Sequence, residues 1–316
     1  VRACGAVAGC AGVGGGGVMS ATLGMLLRQL DPAIKILLVE KLDHVAHEST
    51  YGWNNAGTGH AGNCELNYTP ELSNGQVDIT KALSINAAFE ITLQFWTSLV
   101  ERGLLPAPER FINRTPHLSF VWGEKDVAFL KRRHELMSAH HLFQDMTYSE
   151  DPAQLTDWMP LVMHGRDRQQ PLAATRVAQG SDVDFGSVTR NMVKTLRKGE
   201  NFELLLSHPV VNLRRRKSGK WRVVVKDEYT SVEKKIDAGF VFLGAGGAAL
   251  PLLQKSGIPE AEGYGGFPVS GQWLVCQNEA IVQQHHAKVY GKAPIGAPPM
   301  SVPHLDTRII GGRQAL

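Results

Sequence analysis

The sequence is poor in cysteine and has no long hydrophobic run, and both shortages limit what it can be. Its four cysteines lie far apart with no CxxC pair, which argues against a disulfide framework or a zinc site and fits a reducing compartment. The best apolar run, 239–253, contains Pro251 and is shorter than the about 20 residues that a membrane-spanning helix needs. The twelve histidines include no HExxH motif, so no metal site is expected.

A strong charge of either sign is also missing. The chain carries 33 basic and 30 acidic residues, and its formal net charge of +3 is too small to indicate a nucleic-acid partner. A hydrophobic share of 43% and a charged share of 20% are ordinary for a globular protein with a buried core. The length of 316 residues allows two domains, or one domain with a large insertion.

Glycine is abundant near the start of the chain, directly before a predicted helix. Read from Gly15, the stretch GGGVMS has the pattern GxGxxS, close to the dinucleotide-binding motif GxGxxG. In that motif Gly15 would form the tight turn, Gly17 would let the backbone approach a pyrophosphate, and Ser20 would allow close helix packing. The amphipathic helix that follows, up to Leu30, would point its first N–H groups at the phosphates.

An acidic residue follows the glycine motif at the expected distance. Residues 34–39 form an apolar run typical of a buried parallel strand, and Glu40 ends it. A carboxylate at this place would meet the ribose hydroxyls. The stretch 1–13 is rich in Ala, Gly and Cys and therefore fits poorly as the preceding strand. Three alternatives stay open: a poorly formed strand, an altered stretch of sequence, or a flexible tail that binds nothing.

The segment after Glu40 favours a flavin over a nicotinamide cofactor. A classical NAD domain would continue at once with further strand–helix units, whereas this chain runs through about 30 residues rich in Gly, Asn, Ser and Thr, and loops of that length are uncommon unless they are functional. A flavin ring must be held far from its pyrophosphate, and such a segment suits that task. The residues expected to contact the flavin are Asn54, Asn55, Gly57 and Thr58, with His60 reaching its reactive face. The alternative is a plain surface loop.

A second glycine-containing signature lies about 230 residues further along. Val210–Leu213 is predicted as a short strand, with Val211 as a cofactor contact, and a hairpin follows around 217–220. The apolar run 240–243 then ends in glycines, of which Gly244 and Gly246 are candidate cofactor residues. A strand–glycine pair that returns to the nucleotide site is typical of FAD folds with an inserted substrate domain. The alternative is an unrelated buried strand and turn.

Several unusual strings resemble one family, the FAD-dependent malate:quinone oxidoreductases. The strings are VMSATLG, GWNNAGTGH, ELNYTPE, GSDVDFG, GYGGFPVSGQ, HHAKVYGKA and GAPPMSVPHLDTR. The resemblance covers the chain from Gly15 onward. It implies oxidation of (S)-malate to oxaloacetate with FAD as cofactor and a membrane quinone as electron acceptor. It also implies a bacterial enzyme of the citric acid cycle, peripherally attached to the cytoplasmic face of the cell membrane.

The resemblance also implies the architecture. We expect an α/β fold of the D-amino acid oxidase-like class, in which an FAD-binding Rossmann-like domain carries an inserted, mainly antiparallel β substrate domain. Residues 1–105 and 180–262 would form the FAD-binding domain, and residues 106–179 and 263–316 the substrate domain. Because members of the family continue considerably further, we expect a C-terminally truncated chain with an incomplete substrate domain.

Oxidising a 2-hydroxy acid requires a base for the hydroxyl proton and cations for the carboxylates. Histidine suits the base, and the candidates, which both lie in family-like strings, are His60 and His304. Arginine binds carboxylates through two parallel hydrogen bonds, so Arg176 and Arg308 are the candidate carboxylate ligands. Each histidine could instead be a packed or surface residue, and each arginine could form a structural salt bridge.

Two other functions stay open at the level of sequence. One is a related FAD-dependent oxidase or dehydrogenase acting on another 2-hydroxy or 2-amino acid. The other is an inactive, truncated nucleotide-binding fragment that does not hold FAD.

Overall fold

The chain forms two compact units of mixed α/β structure. The structure, a computed structural model, describes residues 10–59, 61–167, 169–266, 271–293 and 302–316. The described part of the first unit lies within 10–55, 104–106 and 185–273, and that of the second within 56–103, 107–184 and 274–316.

The described residues contain eight α-helices and sixteen strands. The helices are α1 (Val18–Leu30), α2 (Thr80–Glu101), α3 (Glu124–Ser138), α4 (Pro152–Trp158), α5 (Pro160–Met163), α6 (Phe185–Leu196), α7 (Ala249–Lys255) and α8 (Glu279–Val282). The strands are β1 (Cys10–Gly14), β2 (Lys35–Val39), β3 (Ile112–Arg114), β4 (His117–Trp122), β5 (Thr147–Ser149), β6 (Leu172–Val177), β7 (Ser181–Val183), β8 (Phe202–Leu205), β9 (Val210–Arg215), β10 (Trp221–Lys226), β11 (Glu233–Ala238), β12 (Phe240–Leu243), β13 (Lys288–Tyr290), β14 (His304–Asp306), β15 (Arg308–Ile310) and β16 (Arg313–Ala315).

A parallel four-stranded sheet in the order β12-β1-β2-β8 organises the first unit. The helix and strand predicted after the glycine run are present as α1 and β2. Residues 10–14 pair on both sides, with β2 and with β12, so they form an inner strand rather than a tail. Pairing to two apolar neighbours overrides the low β propensity of this stretch.

A second, antiparallel sheet in the order β11-β10-β9 covers part of the first unit's core. It contains the predicted hairpin, whose turn places Gly219 at φ +81°. Leu37 and Val39 of β2 pack against buried residues of β9 and β10, among them Leu213 and Val225. Helix α1 packs closely on α6. A Cβ atom added to Gly24 of α1 would lie only 2.9 Å from Leu196 Cδ1 of α6.

The second unit is built around a five-stranded, mainly antiparallel sheet in the order β14-β13-β4-β6-β5. Only the β13–β4 pairing is parallel among the described strands of this sheet. One face packs on α4 and α5 through Leu155 and Met163, and the other packs on α3 through Phe129 and Leu130. Two small ribbons, β3–β7 and β15–β16, complete the unit.

Residues 56–103 group with the second unit, whereas the sequence boundaries put them in the FAD-binding domain. Side-chain contacts account for the difference. Arg133 of α3 donates to the carbonyl of Asn63 at 2.9 Å, and Trp96 of α2 meets Phe111 edge to face with ring centroids 5.7 Å apart. Helix α2 is thereby fixed within the second unit. None of the described helices is long and apolar enough to cross a membrane.

Candidate functional site

A cavity of about 570 Å³ opens in the first unit where the parallel strands end. Its wall includes the glycine turn, the start of α1, the end of β2 and the segment after β12. The lining residues fall in the ranges 14–19, 39–42, 46–50, 208–210, 242–246 and 248–255. The expected cofactor residues Gly15, Gly17, Glu40, Gly244 and Gly246 are all among them, so the fold brings together residues that are as many as 231 positions apart.

At Gly15 and Gly16 the glycine turn leaves no room for a side chain, whereas a Cβ atom on Gly17 would lie 3.1 Å from Thr50 Oγ1. Gly15 has φ +95°, and a Cβ atom there would lie 2.4 Å from the carbonyl oxygen of Gly244. A Cβ atom on Gly16 would lie 2.8 Å from Val45 Cγ1. Only glycine satisfies both the left-handed backbone at Gly15 and these close approaches. The backbone is therefore directly accessible from the cavity.

The N-terminus of α1 faces this cavity without an acidic neighbour in its own first turn. Gly17 is the N-cap residue and has no side chain to accept the first N–H groups, and the first turn holds no Asp or Glu. The hydroxyl of Thr50 accepts from Val18 N at 3.1 Å. Helix N-termini attract anions through their N–H groups and dipole, so the arrangement suits a phosphate.

Glu40 ties the glycine turn to the end of β2. Its Oε2 accepts from Gly16 N at 2.5 Å and its Oε1 from Leu42 N at 2.9 Å. The sequence predicts a contact between Glu40 and a ribose, and it does not predict these two bonds from backbone N–H groups. A carboxylate has about four lone-pair sites, so two bonds leave capacity for hydroxyl donors.

Ser20 lies below the cavity rather than on its wall. It is fully buried, and a Cβ atom on Gly244 would lie 2.2 Å from Ser20 Oγ. The small third residue of the motif therefore allows α1 to approach the end of β12, which is the packing role expected of it.

Three further candidates of the first unit, Val211, Asn54 and Asn55, are not among the residues that line the cavity. Val211 lies beside the lining residue Val210, and its carbonyl accepts from Lys255 Nζ at 3.3 Å. The side chains of Asn54 and Asn55 donate to carbonyls of residues 47–51, so they hold the loop in shape. Lys255 itself lines the cavity and was not predicted, since an isolated lysine on a short helix gives no sequence signal.

A fully buried ion cluster occupies the second unit. Asp182 Oδ1 lies 2.8 Å from Lys288 Nζ and 2.7 Å from Arg308 Nη1, and Asp182 Oδ2 accepts from Ile309 N at 2.7 Å. Lys288 also donates to the carbonyls of Ala56 and Thr307 at 2.7 and 3.0 Å. The side chains of Asp182 and Lys288 are fully buried, and that of Arg308 is 6% exposed.

Gly57 and Thr58, expected near the flavin, belong to this second unit. Gly57 has φ +62°, and a Cβ atom there would overlap Arg308, at 1.3 Å from Nη1. Thr58 is buried, and its hydroxyl bonds to that of Tyr290. The sequence groups these residues with Asn55 as one loop. In the structure, Gly57 instead lies against Arg308, and Thr58 bonds to Tyr290.

The sheet of the second unit separates two of the candidate catalytic residues. The register opposes Arg176 to Leu118, Leu118 to Val289, and Val289 to Leu305. Directly opposed side chains share a face, so Arg176 and Leu305 lie on the same face. His304 precedes Leu305 in β14 and therefore lies on the opposite face from Arg176. Arg176 instead stacks over Trp158 at 5.7 Å. His60, the other candidate base, lies outside the described residues.

Two buried basic groups of the second unit, His117 on β4 and Arg133 on α3, were not predicted as site residues. His117 Nε2 lies 2.7 Å from the carbonyl oxygen of Ser181 and 3.1 Å from its backbone nitrogen, and burial lowers the pKa of His117 to about 4. Arg133 of α3 donates to Thr69 Oγ1 at 2.8 Å and to the carbonyl of Asn63 at 2.9 Å. Burial lowers the pKa of Arg133 to about 10, so the arginine stays charged at neutral pH while the histidine is neutral.

Comparison with known proteins places nearly the whole chain in one family. The family model described as malate:quinone oxidoreductase matches residues 12–316. The chain belongs to the malate:quinone oxidoreductase family. The family expected from the sequence is thus confirmed.

Curated relatives are similar over nearly all of this chain. A probable malate:quinone oxidoreductase from Hahella chejuensis is 70% identical over 302 residues, and one from Methylobacillus flagellatus is 65% identical over 302 residues. Each alignment covers 96% of this chain but 61% of the relative. The chain therefore spans about three fifths of the length of the curated relatives it matches.

Solved structures confirm the expected fold class. The chain resembles L-α-glycerophosphate oxidase from Mycoplasma pneumoniae, solved with FAD bound, with a TM-score of 0.66 at 13% identity over 96% of this chain and 69% of that one. It resembles glycine oxidase from Geobacillus kaustophilus with a TM-score of 0.65 at 12% identity, over 98% and 70% of the two chains. At such identities the likeness concerns the fold, which is that of the D-amino acid oxidase-like class.

Proposed function

We propose that this chain binds FAD through the cavity of its first unit and takes part in oxidising (S)-malate to oxaloacetate. The observation that carries the proposal is the glycine turn at the start of α1, with Glu40 beside it. The cavity offers what an ADP moiety needs: an exposed backbone, a helix N-terminus and a carboxylate at the strand end. The family and the FAD-bound glycerophosphate oxidase of the same fold support the choice of FAD over NAD.

The cofactor-binding roles divide among the lining residues. Gly15 and Gly17 would let the diphosphate approach the backbone, Glu40 would accept from ribose hydroxyls, and Gly244 and Gly246 would bound the other side of the cavity. FAD, when bound, supplies the acceptor for the hydride that leaves carbon 2 of malate. Ser20 would contribute by packing, and Asn54 and Asn55 by holding their loop.

The second unit would supply the groups that handle malate. His304 is proposed as a base for the hydroxyl proton. Arg308 stays a prediction as a carboxylate ligand, because its guanidinium is buried in an ion pair with Asp182. Arg176 and His60 stay predictions as a second carboxylate ligand and an alternative base. The sequence boundaries of the two domains are kept as a proposal for the whole protein.

The electrons are proposed to pass to a membrane quinone. This step is supported by the names of the relatives, which couple malate to quinone. Because quinones dissolve in the bilayer, we also propose peripheral contact with the cytoplasmic face of the cell membrane.

The function is tested by adding malate to the FAD-loaded chain without oxygen. We expect malate to abolish the visible absorbance of oxidised flavin, and a soluble quinone analogue to restore it, with no response to NAD. Reoxidation by oxygen but not by the quinone would instead favour an oxidase. Reduction by a 2-amino acid and not by malate would contradict the substrate. A colourless chain that takes up no FAD would identify an inactive fragment.

A further inference from the structure

A histidine and an aspartate on β14 form a close pair on one face of the second unit's sheet. His304 Nδ1 lies 2.6 Å from Asp306 Oδ2. The two residues are two positions apart on a strand, so their side chains project from the same face. The side chain of Asp306 is only 4% exposed, whereas that of His304 is 22% exposed. The pair thus has a buried carboxylate and a ring that reaches the surface of its unit.

The imidazole of His304 is held in place by a second contact. Tyr290 opposes His304 across the β13–β14 pairing, and their rings stack with centroids 4.8 Å apart and planes 14° from parallel. Tyr290 is itself buried and bonded through its hydroxyl to Thr58. One edge of the imidazole is therefore fixed by a carboxylate and one face by a ring that cannot easily move.

The pairing selects the tautomer of the imidazole. An ionised carboxylate only accepts hydrogen bonds, so the proton of neutral His304 resides on Nδ1. In this tautomer Nε2 carries the lone pair of the ring, which is the group a base needs. The buried carboxylate also stabilises the imidazolium that forms when Nε2 takes up a proton.

We infer that His304 is the base of the reaction and that Asp306 is the residue that positions it and fixes its tautomer. The inference rests on the proposed malate oxidation and deepens it. As the C–O bond of malate becomes C=O, the hydroxyl proton would move to His304 Nε2, and FAD, when bound, would accept the hydride of carbon 2 with its two electrons. Asp306 keeps its own charge and balances that of the imidazolium.

Nitrogen NMR of the FAD-loaded chain with labelled histidine tests the tautomer without any turnover. The resonances of His304 are those lost in His304→Gln. We expect Nδ1 to carry the proton in the unmodified chain, and the proton to shift towards Nε2 in Asp306→Asn. A proton on Nε2 in the unmodified chain overturns the inference. This measurement needs no variant at Asp306, so it decides even where Asp306→Asn does not fold.

The rate of flavin reduction by malate tests the consequence. In Asp306→Asn we expect the limiting rate at saturating malate to fall about 100-fold, with the half-saturating malate concentration nearly unchanged, and His304→Gln to lose at least as much. Asp43→Asn is the matched control, because Asp43 pairs with His44 at the surface, and it should react like the unmodified chain.

The outcomes separate this inference from the function it rests on. If malate reduces the flavin equally fast in Asp306→Asn, His304→Gln and the unmodified chain, the function stands and the inference is wrong. If only His304→Gln is slow, His304 acts without Asp306 and the positioning role is wrong. If malate does not reduce the flavin of the unmodified chain, the function fails and the inference fails with it.

Discussion

Replacing Gly17 by aspartate is expected to weaken FAD binding by about 100-fold or more. The same substitution should not lower the stability of the cofactor-free protein. Gly17 is the N-cap of α1, with φ −86° and ψ 179°, a backbone conformation that any residue adopts. Aspartate is a preferred N-cap residue, so α1 should form at least as well. Its carboxylate would take the first N–H groups and repel the diphosphate, and like charges brought together cost several kcal/mol.

The matched control is Gly17→Asn, which places the same shape at the N-cap without the charge. It should lose part of the affinity, because its amide oxygen competes for the same N–H groups, but clearly less than Gly17→Asp. FAD titration and thermal unfolding of each variant without cofactor are the two measurements. If Gly17→Asp binds FAD as tightly as the unmodified chain, the diphosphate does not rest on this helix.

Replacing Asp182 by asparagine is expected to lower the free energy of unfolding of the second unit by about 3–5 kcal/mol. The substitution keeps the shape of the side chain but leaves the charges of Lys288 and Arg308 buried without their counterion. Removing one partner of a buried pair costs more than the pair contributes, because the remaining charge cannot return to water. Urea unfolding followed by circular dichroism measures the loss.

Asp237→Asn provides the comparison for the buried cluster. Asp237 also pairs with two cations, Arg222 and Arg216, but at the surface of the first unit, where water replaces the lost contacts. Its substitution should change stability far less. The double variant Asp182→Asn, Lys288→Met should recover part of the loss because it removes one of the two stranded charges. Equal effects of Asp182→Asn and Asp237→Asn would show that the cluster is not truly desolvated.

The first unit was largely predictable because its chemistry is local in sequence. The glycine turn, α1, β2 and Glu40 follow one another within 26 residues, and the periodicity of the side chains specifies each element. The strand β1 stayed one of three alternatives at the level of sequence, because its pairing partners, rather than its own residues, make it a strand. The bonds from Glu40 to Gly16 and Leu42 were also missed, since backbone donors leave no mark on the sequence.

The second unit was harder to predict because its polar groups meet through strand register. Asp182 and Lys288 are 106 positions apart, and neither belongs to a motif that suggests a partner. Arg176 and His304 were grouped by their chemistry. Successive residues of a strand point to opposite faces of a sheet. The register aligns Arg176 with Leu305 rather than with His304, so the two side chains lie on opposite faces. The pair of His304 and Asp306 could have been noticed, since two positions on a strand always share a face.

The central claim, that the first unit holds the diphosphate of FAD at the start of α1, is tested most directly by titrating FAD into the chain without cofactor while ADP or adenosine competes. The account predicts saturation at one FAD per chain, displacement by ADP, and much weaker displacement by adenosine, because the diphosphate supplies the contacts with the helix N-terminus. FAD that saturates the chain but is not displaced by ADP, or is displaced equally well by adenosine, would contradict it.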